Sequence, residues 1–460
     1  MSKRKPQIQM LPSEWRASTS LAGVYALRML GMFLVLPVLA LHAHSLGGEN
    51  SASMKMVGLA MAVYGLTQAL LQLPLGILSD KIGRKKVIFL GMTVFALGSF
   101  LAAFAPNVET LVVARAIQGA GAVSAAVTAL LADLTREEVR TRAMSMIGLS
   151  IGLTFSVSLV LSPILTRYIG VNGLFILMGI LSLVSLTLVG FYTPNPQQQR
   201  LHEDTQAQPS RIVEVLKNPQ LLRLNYGIFA LQAGLMAIFT ALPFALRDLG
   251  WEKFEHWKVY LPATVIGLVL MIPAIIVGET RNKLKQVFVI GITLVLFAQA
   301  ALLFSLNSVW LIALCLVIYF IGFNILEASL PSLVSKIAPS DLKGTAMGVY
   351  NTLQSLGVFA GGMIASKMYA LAGYDGVFGF CCVMVLIWLF IAALAPAPKP
   401  VKNVAFPVPA HKQRDSGSLK AAITAVAGVE SVVFSQDEQT VFLKVLQHGF
   451  DEQEVKKLLD

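Results

Sequence analysis

The chain has 460 residues, of which 56% are hydrophobic and only 13% are charged. An apolar fraction of this size excludes an ordinary soluble globular protein and makes a lipid bilayer the expected solvent. The net charge of +11 is distributed among short polar breaks instead of gathered on one face, which argues against a nucleic-acid-binding protein.

Apolar runs long enough to cross a membrane recur through most of the chain. A spanning helix needs roughly 20 mostly apolar residues, and about twelve such runs fit between Leu21 and Pro396. They begin near Leu21, Met56, Val87, Leu111, Ala143, Gly173, Tyr226, Tyr260, Val287, Val309, Ala346 and Val377. The first run, 21–42, is too long for a secretory signal and lacks a small-residue cleavage site, so we expect a retained span.

The two halves of the chain resemble each other. LADLTREEVRTRAMSMIG, after the fourth run, matches VSKIAPSDLKGTAMGVYN, after the tenth, which indicates an internal duplication. The sequence therefore predicts an all-α membrane protein with about twelve transmembrane helices in two bundles of about six, the architecture of alternating-access carriers. The expected segments are an N-terminal tail at 1–20, a first bundle at 21–193, a linker at 194–225, a second bundle at 226–396, and a tether with a small domain at 397–460.

Basic residues are concentrated in alternate breaks between the apolar runs. The side of the membrane that is richer in basic residues carries the N-terminal tail and Lys81, Arg84, Lys85, Lys86, Arg136, Arg140, Arg142, Arg200, Arg211, Lys217 and Arg223. Because positively charged loops stay in the cytoplasm, this distribution predicts that both termini lie on the cytoplasmic side. The membrane itself is expected to be a bacterial inner membrane.

The residues after the last apolar run have a soluble composition. Their apolar periodicity predicts strands at 401–408, 429–434 and 441–445, a turn at 436–438, and helices at 416–426 and 451–459. This β-α-β-β-α order is that of a small α+β domain, ferredoxin-like but without the last strand. The segment 422–432 resembles a heavy-metal-associated domain, but no cysteine follows Cys382, which excludes a thiolate metal site. We expect no metal and no cofactor.

A loop rich in glycine and charge follows the second apolar run. In GILSDKIGRKK (76–86), Gly76 and Gly83 permit close helix approach and a tight turn, while Asp80 can receive the positive charge of Arg84. The loop resembles the signature GxLaDrxGrkxx of the major facilitator superfamily. The resemblance implies a charge cluster that locks the outward-open state, with Asp133, Arg136, Glu137 and Arg142 as available partners. The alternative is a basic loop that only obeys the positive-inside rule.

A second motif lies within the fourth apolar run. Arg115, Gln118, Gly119 and Gly121 resemble the RxxQGxG signature of proton-driven drug exporters in the same superfamily, and the matching arginine is implicated there in proton transfer. A guanidinium inside a membrane is costly unless it is paired or hydrated. The alternative is a structural arginine bonded to carbonyl groups.

Charged residues inside apolar runs are candidates for ion coupling. Glu327 lies in FIGFNILEASLPSL, one turn after Asn324, and is a candidate proton or cationic-substrate site, with Arg28 of the first run as a possible counter-ion. The alternative is a neutral glutamic acid that ties helices together. Polar residues that are candidates for a cavity lining include Gln68, Gln72, Gln232, Tyr25, Tyr64, Asn351 and Gln354.

These features predict a monomeric secondary transporter whose partners are membrane lipid, protons and a small-molecule substrate. The exporter-like motif favours proton-driven efflux of small amphipathic molecules by alternating access. A proton-coupled importer of a sugar, peptide or other metabolite is the alternative, and a non-transporting receptor is a third. An enzyme is not expected, because the sequence offers no nucleophile with a base, no metal-ligand spacing and no phosphate loop.

Overall fold

The chain folds into long helices followed by a small mixed domain. The computed structural model describes residues 10–47, 51–195, 211–252, 254–280, 283–339, 342–395, 401–409, 416–434, 440–446 and 449–459. In the first half the helices are α1 (Pro12–Gly47), α2 (Ser51–Ile82), α3 (Arg84–Ala103), α4 (Val108–Ala120), α5 (Ser124–Asp133) and α6 (Glu137–Thr187), followed by a π-helical turn at Leu188–Tyr192. In the second half they are α7 (Ile212–Lys217), α8 (Pro219–Asp248), α9 (Trp257–Thr280), α10 (Leu284–Ser305), α11 (Val309–Ile337) and α12 (Lys343–Leu394).

Ten helical segments in the described ranges are long and apolar enough to cross a membrane. Two helices, α6 and α12, contain 51 and 52 residues, and a straight helix of that length would extend about 75 Å, more than twice the apolar thickness of a bilayer. Gly170 (φ 69°) and Gly373 (φ 58°) interrupt their helical geometry, a conformation that glycine adopts without strain. The spans expected from Gly173 and Val377 begin just after these two breaks.

The first helix starts earlier than the sequence indicated. Helix α1 begins at Pro12, inside the segment 1–20 that was expected to be a tail. Pro12 suits the first helical position, and the carboxylate of Glu14 accepts a hydrogen bond from the backbone N–H of Leu11 at 2.7 Å, as in a capping box. The helix therefore has a defined start outside the apolar run.

Glycines let helices of the two halves pack closely. A Cβ atom on Gly65 of α2 would lie 2.5 Å from the backbone oxygen of Ser355 and 2.9 Å from the nitrogen of Phe359, both in α12. Farther along the same pair, Ser366 donates a hydrogen bond to the backbone oxygen of Met54. Only a residue without a side chain permits this approach.

Contacts join the halves at the end remote from the 211–223 linker segment and near the middle of the spans. At the remote end the ring of His44 in α1 lies 5.5 Å from that of Phe244 in α8, and near the middle the ring of Phe155 in α6 lies 5.6 Å from that of Phe323 in α11. At the linker end, residues of the first half form a hydrophobic cluster of their own, which includes Leu21 and Leu130. The molecule is thus closed at the end away from the linker.

The C-terminal residues form a separate small core. Strands β1 (Val401–Pro407), β2 (Val429–Phe434) and β3 (Thr440–Leu446) make an antiparallel sheet in the order β1-β3-β2. Helices α13 (Ser416–Thr424) and α14 (Glu452–Leu459) complete the β-α-β-β-α element order that the sequence predicts. Ile423, Val441 and Val455 are fully buried in its core. The predicted turn at 436–438 lies outside the described residues.

Candidate functional site

A charge cluster forms where the loop after α2 meets the end of α5. Gly83 adopts φ 108° between α2 and α3, and this turn directs Arg84 toward two carboxylates. The guanidinium pairs with Asp80 and, at 3.2 Å, with Asp133, and it donates to the hydroxyl of Ser79 at 2.9 Å. The Arg84 side chain is 6% exposed. The structure thus brings together three of the residues expected in the charge cluster that locks the outward-open state, called the latch below: Asp80, Arg84 and Asp133.

Arg136, another residue expected in that cluster, has a partner that the sequence analysis missed. Its Nε donates to Glu14 at 2.8 Å and its Nη2 at 3.1 Å, and its backbone N–H donates to the same carboxylate at 3.0 Å. Glu14 is 3% exposed. It is the sole acidic residue among the first twenty, and that fact, with Pro12 two positions earlier, was the available signal. The start of α1 is therefore fastened to the loop after α5.

Two further latch candidates lie near the same loop. The guanidinium of Arg142 lies 5.7 Å from the centre of the Trp15 ring, a distance that permits a cation–π contact. The side chain of Glu137 lies outside the part of the chain that the structure describes. Gly76 lies within α2, and a Cβ atom there would be 3.4 Å from that of Ala125, so α2 and α5 are in van der Waals contact at this position.

Two buried arginines flank Tyr64 in the first half. The Arg115 guanidinium lies 4.8 Å from the centre of the Tyr64 ring and donates to Gln118 at 2.8 Å. Gln118 in turn donates to Ser99 at 2.9 Å. Arg28 donates to the Tyr64 hydroxyl at 3.2 Å. A second nitrogen of the Arg28 guanidinium, Nη1, donates to the hydroxyl of Ser124 at 3.0 Å. Ser124 is the first residue of α5.

This cluster has positive charge without a described acidic partner. Arg28 is 2% and Arg115 is 3% exposed, and their hydrogen bonds go to side-chain hydroxyl and amide oxygens. The carbonyl oxygen to which Arg115 donates is that of the Gln118 side chain, so a structural arginine bonded to a carbonyl group and a proton-coupling arginine both remain interpretations of this residue. Gly119 and Gly121 serve packing, since a Cβ on Gly121 would lie 2.5 Å from the backbone oxygen of Gly91.

Glu327 is held by two amide groups in the second half. Gln232 of α8 donates to one carboxylate oxygen at 3.0 Å, and Gln354 of α12 donates to the other at 3.1 Å. Glu327 is partly exposed. The suggested counter-ion is not its partner, because Arg28 bonds Ser124 and Tyr64 instead. Three helices, α8, α11 and α12, therefore meet at this carboxyl group.

The remaining cavity candidates differ in position. Asn324 is 8% exposed, and a Cβ on Gly267 of α9 would lie 3.1 Å from its amide nitrogen. Asn351 is partly exposed on α12, the helix that carries Gln354. Gln72 is buried at 1% exposure, and neither of its amide atoms has a partner among the described residues. Among the polar residues that the sequence offered for a cavity lining, Gln232 and Gln354 are the two that donate to Glu327.

Comparison with protein families decides the class of protein. A family model described as the Major Facilitator Superfamily matches residues 21–362 and 285–442, which together cover most of the chain. The chain belongs to the Major Facilitator Superfamily. It is a membrane transport protein and not an enzyme.

Individual members of the superfamily are similar to this chain to different degrees. The inner membrane transport protein YajR of Escherichia coli (strain K12) is 40% identical over 95% of both chains. The quinolone resistance protein NorA of Staphylococcus aureus (strain MRSA252) is 24% identical over 74% of this chain and 86% of its own. Because the alignment with YajR spans nearly the whole chain, the similarity extends beyond the helices into the C-terminal domain.

A solved structure supports the same assignment at the level of the fold. A bacterial homologue of the human lysosomal transporter Spinster, solved in an inward-facing and occupied conformation, has a TM-score of 0.68. It is 12% identical and the match covers 83% of this chain and 96% of that one. The helices of this superfamily member thus have the arrangement of a solved transporter although few residues are shared.

Proposed function

We propose that the chain is a proton-driven exporter of small amphipathic molecules that works by alternating access in a bacterial inner membrane. The observation that carries the proposal is Glu327, a carboxyl group in a membrane-spanning helix whose hydrogen bonds come from the amides of Gln232 and Gln354. A charged carboxylate within a membrane-spanning segment is costly without a cation, even where it is partly exposed to a cavity. A proton can neutralise it, and such intramembrane acids commonly mark proton paths.

The topology belongs to the same proposal. The breaks at Gly170 and Gly373 each divide one of the ten apolar segments, so that twelve spans result. With both termini in the cytoplasm, the contacts near His44 and Phe244 close the periplasmic end. In this conformation a proton on Glu327 leaves toward the cytoplasm, where the substrate to be exported also enters.

The remaining clusters are assigned roles in the same cycle. Asp80, Arg84 and Asp133 pair with one another within the first half in this conformation, and we assign to them the outward-open lock that the superfamily resemblance implies, which acts once that state forms. The cluster of Arg28, Tyr64 and Arg115 provides positive charge in the first half, opposite in sign to Glu327. Proton binding drives the cycle only if it favours one conformation over the other. The similarity to a protein named for quinolone resistance supports an amphipathic substrate and the direction of export.

The test uses everted membrane vesicles that are energised acid-inside, with a pH-sensitive dye. Amphipathic cations and metabolites are added one at a time to vesicles with the wild-type protein, Glu327→Gln or Glu109→Gln. Glu109 is an exposed glutamate at the start of α4 and is the matched control. We expect at least one compound to dissipate the proton gradient with the wild type and with Glu109→Gln, but not with Glu327→Gln.

The outcomes separate export from the alternative. If dissipation persists in Glu327→Gln, this residue is not on the proton path. If a compound enters the vesicles together with protons only when the gradient is reversed, the protein is a proton-coupled importer of that compound and the proposed direction is wrong.

A further inference from the structure

The apolar segment Val108–Asp133 is broken in its middle. It is apolar enough throughout to be one membrane span, yet residues 121–123 separate α4 from α5. Val123, the residue before α5, provides no side-chain cap. The first N–H of α5 that bonds to the backbone is that of Val127, at 3.0 Å from the oxygen of Val123. The N–H groups of 124–126 therefore form an uncapped helix N-terminus within the membrane, and such a terminus carries partial positive charge.

Two buried guanidiniums lie beside this break. Arg28 donates from Nη1 to the hydroxyl of Ser124, the first residue of α5, and from Nη2 to that of Tyr64. Arg115 lies over the ring of Tyr64 and donates to Gln118. The Nε atoms of both arginines are buried without a partner among the described residues. Three centres of positive charge are thus linked through Tyr64 and Ser124, and the acceptors of these guanidinium hydrogen bonds are uncharged.

The first bundle has no acidic residue inside its spans that could neutralise these cations. The acidic residues between 21 and 193 all lie at helix ends or in loops, and they are Glu49, Asp80, Glu109, Asp133, Glu137 and Glu138. In the second bundle Glu327 accepts from Gln232 and Gln354 and not from an arginine. Uncompensated charge inside a membrane is costly. The cluster is therefore expected to attract an anion, as uncapped helix N-termini do.

The cluster is approached from the linker end of the molecule. On α1, Tyr25 lies about one turn nearer that end than Arg28, and on α2, Gln68 lies about one turn nearer it than Tyr64. Both Tyr25 and Gln68 are partly exposed, and Oε1 of Gln68 has no partner among the described residues. The opposite end is closed by the contact of His44 with the second half. An anion that reaches Arg28 therefore passes Tyr25 and Gln68.

We propose that the anion site, formed by Arg28, Tyr64, Arg115 and the N-terminus of α5, binds the anionic group of the exported molecule. Because both arginines are enclosed, a carboxylate takes the place of their neutral acceptors, and charge-assisted hydrogen bonds are roughly twice as strong as neutral ones. Half-helix N-termini of transporters face anionic substrate groups in the same way. That the ligand is the exported molecule rests on the function proposed above, whereas the affinity for an anion does not.

The substrate class that follows is that of amphipathic carboxylates. A zwitterion of this class suits both halves, since its anionic group binds the anion site while its cationic group competes with the proton for Glu327. Exchange of substrate for protons requires such competition, because a ligand shifts an equilibrium only through its different affinity for the two states. An amphipathic cation without an acidic group would leave Arg28 and Arg115 uncompensated.

The test measures binding, so that its result does not depend on proton flux. Full-length protein in uncharged detergent at neutral pH is titrated with a series of aryl-alkyl carboxylates with and without an amino group, each paired with its primary amide, by isothermal titration calorimetry. We expect at least one carboxylate to bind about tenfold more tightly than its amide, as hydrogen bonds to a charged acceptor imply. Arg28→Gln and Arg115→Gln are each expected to remove that preference. Equal affinities for acid and amide throughout the series would overturn the proposal.

Matched variants separate the anion site from effects of net charge and of folding. Lys55 and Lys367 are exposed on α2 and α12 at the end remote from the linker, and Lys55→Gln/Lys367→Gln is expected to bind like the wild type. An equal loss of preference there would mean a general effect of charge. Tyr64→Phe keeps the ring beneath Arg115 but removes a neutral acceptor of Arg28, so it is expected to bind the carboxylate at least as tightly as the wild type. A tenfold loss in Tyr64→Phe would contradict the replacement of neutral acceptors by the carboxylate.

A last comparison distinguishes a substrate group from a free inorganic anion. The titrations are made in sodium gluconate and again in sodium chloride of the same concentration. We expect the preference for the carboxylate over its amide to persist in chloride. If chloride removes it, the anion site holds an inorganic anion and its assignment to the exported molecule is wrong. Neither result bears on Glu327, because its role is measured separately by proton flux.

Discussion

Glu14 is the residue whose role is the most sharply testable, because one carboxylate fastens two distant segments. It accepts three hydrogen bonds from Arg136 and one from the N–H of Leu11. Glu14→Gln removes the charge from these bonds, and hydrogen bonds to charged groups contribute about 1.5–3 kcal/mol each. Since the Arg136 side chain is 43% exposed and Gln can still accept hydrogen bonds, we expect a total loss no larger than that of one such bond, about 1–2 kcal/mol of stability.

The measurement is thermal unfolding of purified protein in detergent, with Arg136→Gln and the double variant to complete a cycle. If the two groups act together, the double variant is no less stable than the single ones. Glu109→Gln serves again as the exposed control and is expected to melt like the wild type. Additive losses in the double variant would mean that Glu14 and Arg136 stabilise the protein independently.

Contacts between residues that are close in the sequence could be predicted, whereas contacts between residues on distant spans could not. Asp80 and Arg84 are four positions apart, and the glycines beside them indicated a turn that brings them together. Glu14 and Arg136 are separated by 122 positions, and nothing local indicates that pairing. For Glu327 the apolar surroundings indicated a buried acid, but not that Gln232 and Gln354 contact it while Arg28 does not. Hydropathy reports depth in the membrane and not the neighbour across a helix interface.

At the scale of elements, the packing of α2 on α12 holds the closed end together. Gly65 lies against the backbone of Ser355 and Phe359, so a methyl group there must push the helices apart. Gly65→Ala is expected to shift the protein toward a conformation that is open at this end. Gly152→Ala is the matched control, because nothing lies within 4 Å of a Cβ at that helical glycine.

Spin labels at Lys55→Cys and Lys367→Cys report this change as a distance distribution. The two labels lie close to the hydrogen bond between Met54 and Ser366, so the wild type should show a short distance. The native residues Cys315, Cys381 and Cys382 are replaced by serine in all samples. A longer population in Gly65→Ala but not in Gly152→Ala is the expected result, and identical distributions would contradict it.

The sequence predicted where the helices and strands lie along the chain more accurately than it predicted the residues at which they begin and end. The strand predicted at 429–434 has those bounds in the structure, because apolar alternation is a direct signal of a half-buried strand. Helix α1 extends beyond its apolar run to Pro12, since capping by Glu14 and not hydropathy sets its start. The sequence predicts a new span from Gly173, and the 51-residue helix α6 has its one non-helical residue at Gly170, beside the short polar interval between two apolar runs.

At the scale of the whole molecule, the C-terminal domain is built as an independent unit. Its hydrophobic cluster consists of its own residues, among them Ile423, Val441 and Val455. Its three strands also pair with one another in the order β1-β3-β2. Truncation after Ala395 is therefore expected to leave the thermal stability of the membrane bundles unchanged.

The same truncation tests whether this domain regulates transport. If it docks on the loops at the linker end, its removal changes the balance between conformations, and coupling free energies of that kind correspond to about fivefold changes or more. We expect at least a fivefold change in the rate of substrate-dependent proton flux in everted vesicles. Ile423→Asp, which places a charge in the core of the domain without shortening the chain, should have the same effect. A rate equal to that of the wild type in both variants would exclude regulation and leave the domain without a role in the transport cycle.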